Sequence, residues 1–176
     1  MQIAILGAGM VGRAMAIDLQ QKYSVTSFDV SEQSLDILSK KNKLIKTVKT
    51  DLSNFENYPT LLQNFDYVIC AVPGFMGYNA LQAIINAGKN VVDISFFPED
   101  ALALDNLAKQ KNVTAIVDCE RRIGGEGDGS SGQQEERGEF HGVREILGIG
   151  GTFPILISEA GAAICLEGHL SEAVGP

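Results

Sequence analysis

The chain has 176 residues, 45% of them hydrophobic and 20% charged, enough for one full core with a small appendage. Its formal net charge of −8 argues against nucleic acid or an anionic membrane surface as the main partner. No apolar run reaches the roughly twenty residues that span a bilayer, so no membrane segment is expected.

Residues 1–6 form an apolar run of strand type that breaks at Gly7-Ala8-Gly9-Met10-Val11-Gly12, a G-x-G-x-x-G triplet. An amphipathic helix over residues 10–22 follows at once, with Val11, Met15 and Leu19 spaced for one buried face. Gly7 permits the tight turn off the strand, Gly9 lets backbone approach a pyrophosphate, and Gly12 lets helix and strand pack closely. The pyrophosphate would rest on the free N–H groups and the positive dipole end of that helix. A second strand, residues 24–30, carries Asp29 near its end, about twenty residues beyond the triplet, where a carboxylate can bind both ribose hydroxyls. That acid repels a 2′-phosphate, and no arginine stands beside it, so NAD is the expected cofactor with NADP as the alternative.

Ser31 caps a helix over 32–41, and residues 44–48 read as a third strand ending near Asp51-Leu52. Asp51 and Leu52 are candidates to contact the adenine. A short helix over 57–64 has Pro59 in its first turn. Residues 65–72 form a fourth, apolar strand that stops at Pro73-Gly74. Ala71, Val72, Pro73 and Gly74 should line the path from pyrophosphate to nicotinamide ribose, because proline lacks an N–H and ends the ladder there. Phe75, Met76 and Tyr78 are candidates either for a nicotinamide wall or for core.

Residues 78–87 are expected to be helical with Gly88 at the C′ position, and 90–96 form a fifth strand. Asp93 and Ser95 stand near its end, where ligands approach an open sheet, so Asp93 is a candidate acid or base. Pro98-Glu99-Asp100 opens a helix running to residue 111, its acids suited to the dipole. Residues 113–118 complete a sixth strand. Continuous apolar strands alternating with helices give an α/β fold, a doubly wound parallel sheet of the Rossmann type in the order 3-2-1-4-5-6. The ligand crevice lies between the first and fourth strands.

The composition changes after Cys119. Beyond it there is no lysine and no asparagine, and residues 120–142 are rich in Gly, Glu, Ser and Gln. The expected division is a cofactor-binding domain over 1–119 and an irregular tail over 120–176, with apolar patches at 146–149, 153–157 and 160–166 able to add a strand or helix. Cys70, Cys119 and Cys165 are an odd, dispersed set; Cys70 and Cys119 fall in apolar strand-like segments and read as buried reduced thiols, and Cys165 with His169 lacks a second pair to complete a metal site. Reduced cysteines and the absence of a basic leader before the first strand point to the cytoplasm, with no metal.

Three stretches resemble the saccharopine dehydrogenase family, particularly its lysine 6-dehydrogenase-like members: Ala71-Val72-Pro73-Gly74, the run from Ala87-Gly88-Lys89-Asn90 through Val91-Val92-Asp93-Ile94-Ser95-Phe96, and Phe97-Pro98-Glu99-Asp100. The likeness covers residues 1–119. It implies a Rossmann domain joined to a substrate-binding domain. It also implies NAD(P)-linked oxidation or reduction at a carbon–nitrogen bond of an amino acid or polyamine-like substrate. A homodimer is a further expectation. Relatives follow the sixth strand with a Gly-x-x-Pro-Gly turn, whereas Glu120-Arg121-Arg122-Ile123-Gly124 stands here, so the tail reads as truncated, fused or frame-shifted and no catalytic residue is carried over. The competing readings are a nucleotide-sensing regulatory module, which residues 3–29 also resemble, and an inactive fragment.

Overall fold

The computed structural model describes residues 1–117, 145–147, 156–157 and 163–164. Five helices and seven strands form a doubly wound unit: β1 (Gln2–Leu6), α1 (Met10–Gln20), β2 (Ser24–Asp29), α2 (Glu32–Lys41), β3 (Lys46–Lys49), α3 (Tyr58–Leu62), β4 (Tyr67–Cys70), α4 (Gly74–Asn86), β5 (Asn90–Asp93), α5 (Asp105–Lys111), β6 (Ala115–Val117) and β7 (Glu145–Leu147). The strand order is β3-β2-β1-β4-β5-β6-β7. The first six strands are parallel, and β1 sits between β2 and β4 with Leu6 opposite both Phe28 and Cys70. The order reverses at β1, so the crevice opens beyond the ends of β1 and β4.

Alternate residues of the strands feed two cores. Ile3, Ile5, Val25, Ile69, Val92 and Ile116 face Met15, Ala16 and Leu19 of α1 and Leu38 of α2. Ala4, Leu6, Phe28, Val68, Cys70 and Val91 face Tyr58 and Leu62 of α3, Ala80, Leu81, Ile84 and Ile85 of α4, and Ala108 of α5. Burial on both faces explains why these strands read as continuous apolar runs.

Several boundaries differ from the sequence expectation, each for a local reason. The fifth strand ends at Asp93 rather than residue 96, because the Asp93 carboxylate accepts the Ser95 amide at 2.8 Å and curls the chain out of the ladder. Helix α4 starts at Gly74 rather than residue 78, with Pro73 at the N-cap position. The helix expected to open at Pro98 begins only after Asp100. The Asp100 carboxylate caps a 3₁₀ turn, Ala101–Leu104, by accepting the Leu102 amide at 3.0 Å. Asp105, not Glu99 or Asp100, is therefore the acid in the first turn of α5. Gly88 stands at C′ of α4 with φ 69°, as its position after Ala87 requires.

The patch at 146–149 supplies β7, which pairs antiparallel with β6 and adds a seventh strand to the six expected from the sequence. β8 (Leu156–Ile157) and β9 (Ala163–Ile164) form a separate antiparallel pair. Cys119, Cys165, His141, His169 and the stretch 120–142 lie outside the described residues.

Candidate functional site

The centre of the site is the turn between β1 and α1. Gly7 has φ 107°, and its amide donates to the Phe28 carbonyl at 2.8 Å. A Cβ on Gly7 would overlap the Ala71 carbonyl, and one on Gly12 would overlap the Gly7 carbonyl oxygen. Both positions are therefore closed to any larger residue by backbone, the least movable of neighbours. Gly9 is the opposite case: a Cβ there would meet nothing within 4 Å. Its open side gives on the cleft, which Gly7, Gly9, Met10, Val11 and Gly12 line. The first-turn amides of α1 have no intrahelical partner, no side chain caps them, and no acid stands in that turn. That leaves the positive end of the dipole unneutralised beside open space, a ready anion seat.

Asp29 ends β2 beside this turn. One carboxylate oxygen accepts the Ala8 amide at 2.6 Å, and the other accepts the Ser31 amide at 2.7 Å. The carboxylate thus ties the glycine turn to the head of α2, where Ser31 caps by accepting the Ser34 amide at 3.2 Å. Hydrogen bonds to a charged acceptor are roughly twice as strong as neutral ones, so the acid is fixed in direction before any ligand arrives.

On the same flank, Asp51 accepts both the amide and the hydroxyl of Ser53, at 2.9 and 2.6 Å. These two bonds hold its carboxyl below the usual aspartate range. Leu52 is buried, and its carbonyl accepts the Tyr58 hydroxyl at 2.9 Å. Burial pushes the Tyr58 phenol well up, with Cys70 and Asp51 adding to the shift, so it stays protonated and donates.

The opposite flank is built by the end of β4 and the first turn of α4. Ala71, Val72, Pro73, Phe75 and Met76 line it, and Phe75 is 86% exposed. This turn lies directly on the chain after β5: Gly74 abuts the Phe96 carbonyl, and Gly77 abuts Ser95 and Phe97. Beneath it, Asp93 accepts both the Ser95 amide and its hydroxyl, at 2.8 and 2.7 Å. Cys70 is fully buried against this group, and desolvation, with Asp93 next in effect, pushes its thiol well up.

The cleft holds about 520 Å³ and runs from Asp29, Val30 and Asp51 past the glycine turn to Phe75 and Met76. Of the residues singled out in the sequence, Gly7, Gly9, Met10, Val11, Gly12, Asp29, Asp51, Leu52, Ala71, Val72 and Pro73 meet there. Ala8 is buried behind the turn and offers its amide to Asp29, while Gly74 packs against the Phe96 carbonyl. Asp93 lies in the interior and does not line the cleft, and Tyr78 packs edge-on against Phe97 at 5.7 Å. Val30 and Ser53 line the cleft without having been singled out. The Asp-x-Ser spacing, which closes a side-chain-to-backbone turn, was the signal for Ser53.

A cleft with an anion seat at its middle, an oriented carboxylate at one end and an apolar wall at the other suits a dinucleotide. No curated protein matches the chain. Among solved structures, saccharopine dehydrogenase (L-Glu forming) from Saccharomyces cerevisiae is 17% identical with a TM-score of 0.56, covering 66% of this chain and 26% of that one. Scyllo-inositol dehydrogenase from Lactobacillus casei, with bound NAD(H) and scyllo-inositol, is 20% identical with a TM-score of 0.55, covering 70% and 37%. A probable dehydrogenase from Thermotoga maritima is 21% identical with a TM-score of 0.54, covering 69% and 37%. At these identities the likeness is one of fold, and the chain spans only about a quarter to two fifths of those proteins' length. Residues 3–116, more than half of the chain, match the family described as the saccharopine dehydrogenase NADP binding domain, and the chain belongs to that family as an NAD(P)-binding domain.

Proposed function

We propose that this chain is the cofactor-binding part of an oxidoreductase of the saccharopine dehydrogenase type, acting on a carbon–nitrogen bond of an amino acid, and that it takes NAD in preference to NADP. The observation that carries the cofactor reading is the open side of Gly9 against the unneutralised start of α1, with Asp29 already oriented beside it. The α1 amides would hold the pyrophosphate, Asp29 the ribose hydroxyls, and the Asp51-Leu52-Ser53 wall the adenine. When bound, the nicotinamide supplies hydride transfer, and this chain contributes binding and orientation.

The preference for NAD rests on charge. A carboxylate fixed at the ribose position repels a 2′-phosphate. Lys49, opposite Asp29 in the β2–β3 register, is a cation that could offset this, but its ammonium pairs with Glu32 at 2.8 Å. The amino-acid substrate rests on family membership alone. The family's match ends at residue 116, and the division into a domain over 1–119 and a tail over 120–176 belongs to the same proposal.

The flank formed by Phe75 and Met76 presents apolar surface to water, and hydride transfer needs reacting atoms held close in a site largely closed to solvent. The first 117 residues leave that side open, so this chain is expected to bind NAD with negligible turnover of lysine, saccharopine or similar amines. Calorimetric titration with NAD and NADP, followed by assay with those amines, tests the reading. NADP binding as tight as NAD would remove Asp29 from the ribose, and ordinary enzyme rates would overturn the assignment of this chain as a cofactor-binding part. Sequencing the encoding DNA across codon 119 in all frames decides whether a substrate domain was lost by a frame shift.

A further inference from the structure

Leu52 belongs to the cleft wall, and the bonds within its own loop, from Ser53 to the Asp51 carboxylate and from the Asn54 amide to the Asp51 carbonyl, shape the turn without tying it to the core. It lies between β3 and the 3₁₀ turn Phe55–Asn57, in a stretch without regular secondary structure. What reaches it is a side chain from the core. Tyr58 is fully buried, sits at the start of α3, and shares one core with Phe28, Cys70 and Leu52. Its hydroxyl donates to the Leu52 carbonyl at 2.9 Å, and the Phe55 ring braces it edge-on at 5.7 Å. A buried carbonyl needs a partner, and a fully buried tyrosine needs one for its hydroxyl, so the bond satisfies both. Its position does more. Leu52 is flanked by Asp51 and Ser53, themselves joined by two bonds to one carboxylate oxygen. Pinning Leu52 therefore sets the height of the whole three-residue wall over the cleft.

We propose that Tyr58, a residue that does not line the cleft, is a positioning residue for the adenine-binding wall, holding residues 51–53 at the height that receives the base. This deepens the dinucleotide reading above and rests on it. The hydroxyl acts on the adenosine half alone, because the nicotinamide half is walled by a different segment, the first turn of α4.

The test is Tyr58→Phe in the full chain, titrated separately with NAD, adenosine monophosphate and nicotinamide mononucleotide. Loss of one neutral hydrogen bond should weaken NAD and adenosine monophosphate by roughly threefold to tenfold. Nicotinamide mononucleotide should bind unchanged. Equal losses for both mononucleotides would show general loosening and overturn the proposal, as would unchanged binding of adenosine monophosphate. Should the variant fold too weakly to titrate, amide exchange of the wild-type chain decides. Adenosine monophosphate should slow exchange across residues 51–54 while nicotinamide mononucleotide leaves it unaltered, and no slowing by the adenylate would overturn the assignment. A wild-type chain that binds NAD but fails these tests leaves the dinucleotide reading intact, whereas one that binds no NAD removes both.

Discussion

The two flanks of the cleft are held by different means. On the side proposed for the adenosine the constraints are backbone and charge: Gly7 and Gly12 lie within contact of main chain, and both oxygens of Asp29 accept amides. On the other side the wall is apolar and exposed, and its support is indirect, through α4 resting on a chain that Asp93 curls away from the sheet. The first flank is built by β1, α1, β2 and the loop after β3, with Tyr58 of α3 bonded to that loop from the core. The second ends in Phe75, a large ring 86% exposed to water, which is the surface a further covering element would bury. In the reading proposed above, the adenosine half meets a flank held by hydrogen bonds and main chain, whereas the nicotinamide half meets one that, among the described residues, presents an exposed ring to water.

The sharpest way to break the comparison is at the glycine turn. Gly12→Val should cost more than about 3 kcal/mol of stability, because the new side chain meets a main-chain carbonyl that cannot move aside. Gly9→Val should fold normally, since its Cβ direction is open, yet abolish binding of either dinucleotide by filling the anion seat. Denaturant titration and calorimetry on the two variants separate these outcomes, and equal stability losses would mean the turn has no open face.

Next in size is Asp29→Ala. It leaves the Ala8 and Ser31 amides without their charged acceptor, a loss of about 2 kcal/mol in a half-buried setting. It should also erase the preference for NAD over NADP. Retained preference in paired titrations would put the discrimination elsewhere.

On the second flank the sequestered Cys70 gives a graded readout. Its raised thiol pKa and full burial predict no labelling by thiol reagents at neutral pH until unfolding, checked by peptide mass mapping. Asp93→Asn keeps the volume but weakens the acceptor for Ser95, and should speed labelling of Cys70 while leaving adenosine monophosphate binding within about twofold. An equal effect on adenosine binding would show that the two flanks are not independent.

The smallest expected effect lies at Asp51. Its folded pKa is depressed, so it contributes stability that is present above the ordinary aspartate value of about 3.9 and lost as pH falls through the folded value. Ser53→Ala removes the hydroxyl bond and should raise the Asp51 pKa toward 3.9, narrowing that window, as read by carbon-detected titration of the carboxyl.

How much of this was legible beforehand depended on distance along the chain. The G-x-G-x-x-G turn, the order of strands and helices, Ser31 as a cap and Gly88 at C′ are set by residues within a few positions of one another, and periodicity and turn chemistry report them. The start of α4 is not legible in the sequence, because Gly74 and Gly77 weaken a helical pattern locally, and only the chain after β5 explains why small residues stand there. The early end of β5 is not legible either, because Val91 to Phe96 has strand composition, and a side-chain bond two residues on overrides it.

The sequence alone determined the parallel α/β architecture and the place of the cleft, because burial on both faces and a glycine-bounded turn leave one way to wind the sheet. Only the tertiary structure decided the orientations within it: the Asp29 carboxylate on the Ala8 amide, the Tyr58 hydroxyl under Leu52, Asp93 inside rather than at the cleft, and β7 antiparallel at the edge. Each of these brings together groups whose meeting depends on how elements pack, and a hydrogen bond is made or lost over a few tenths of an ångström that no local pattern encodes.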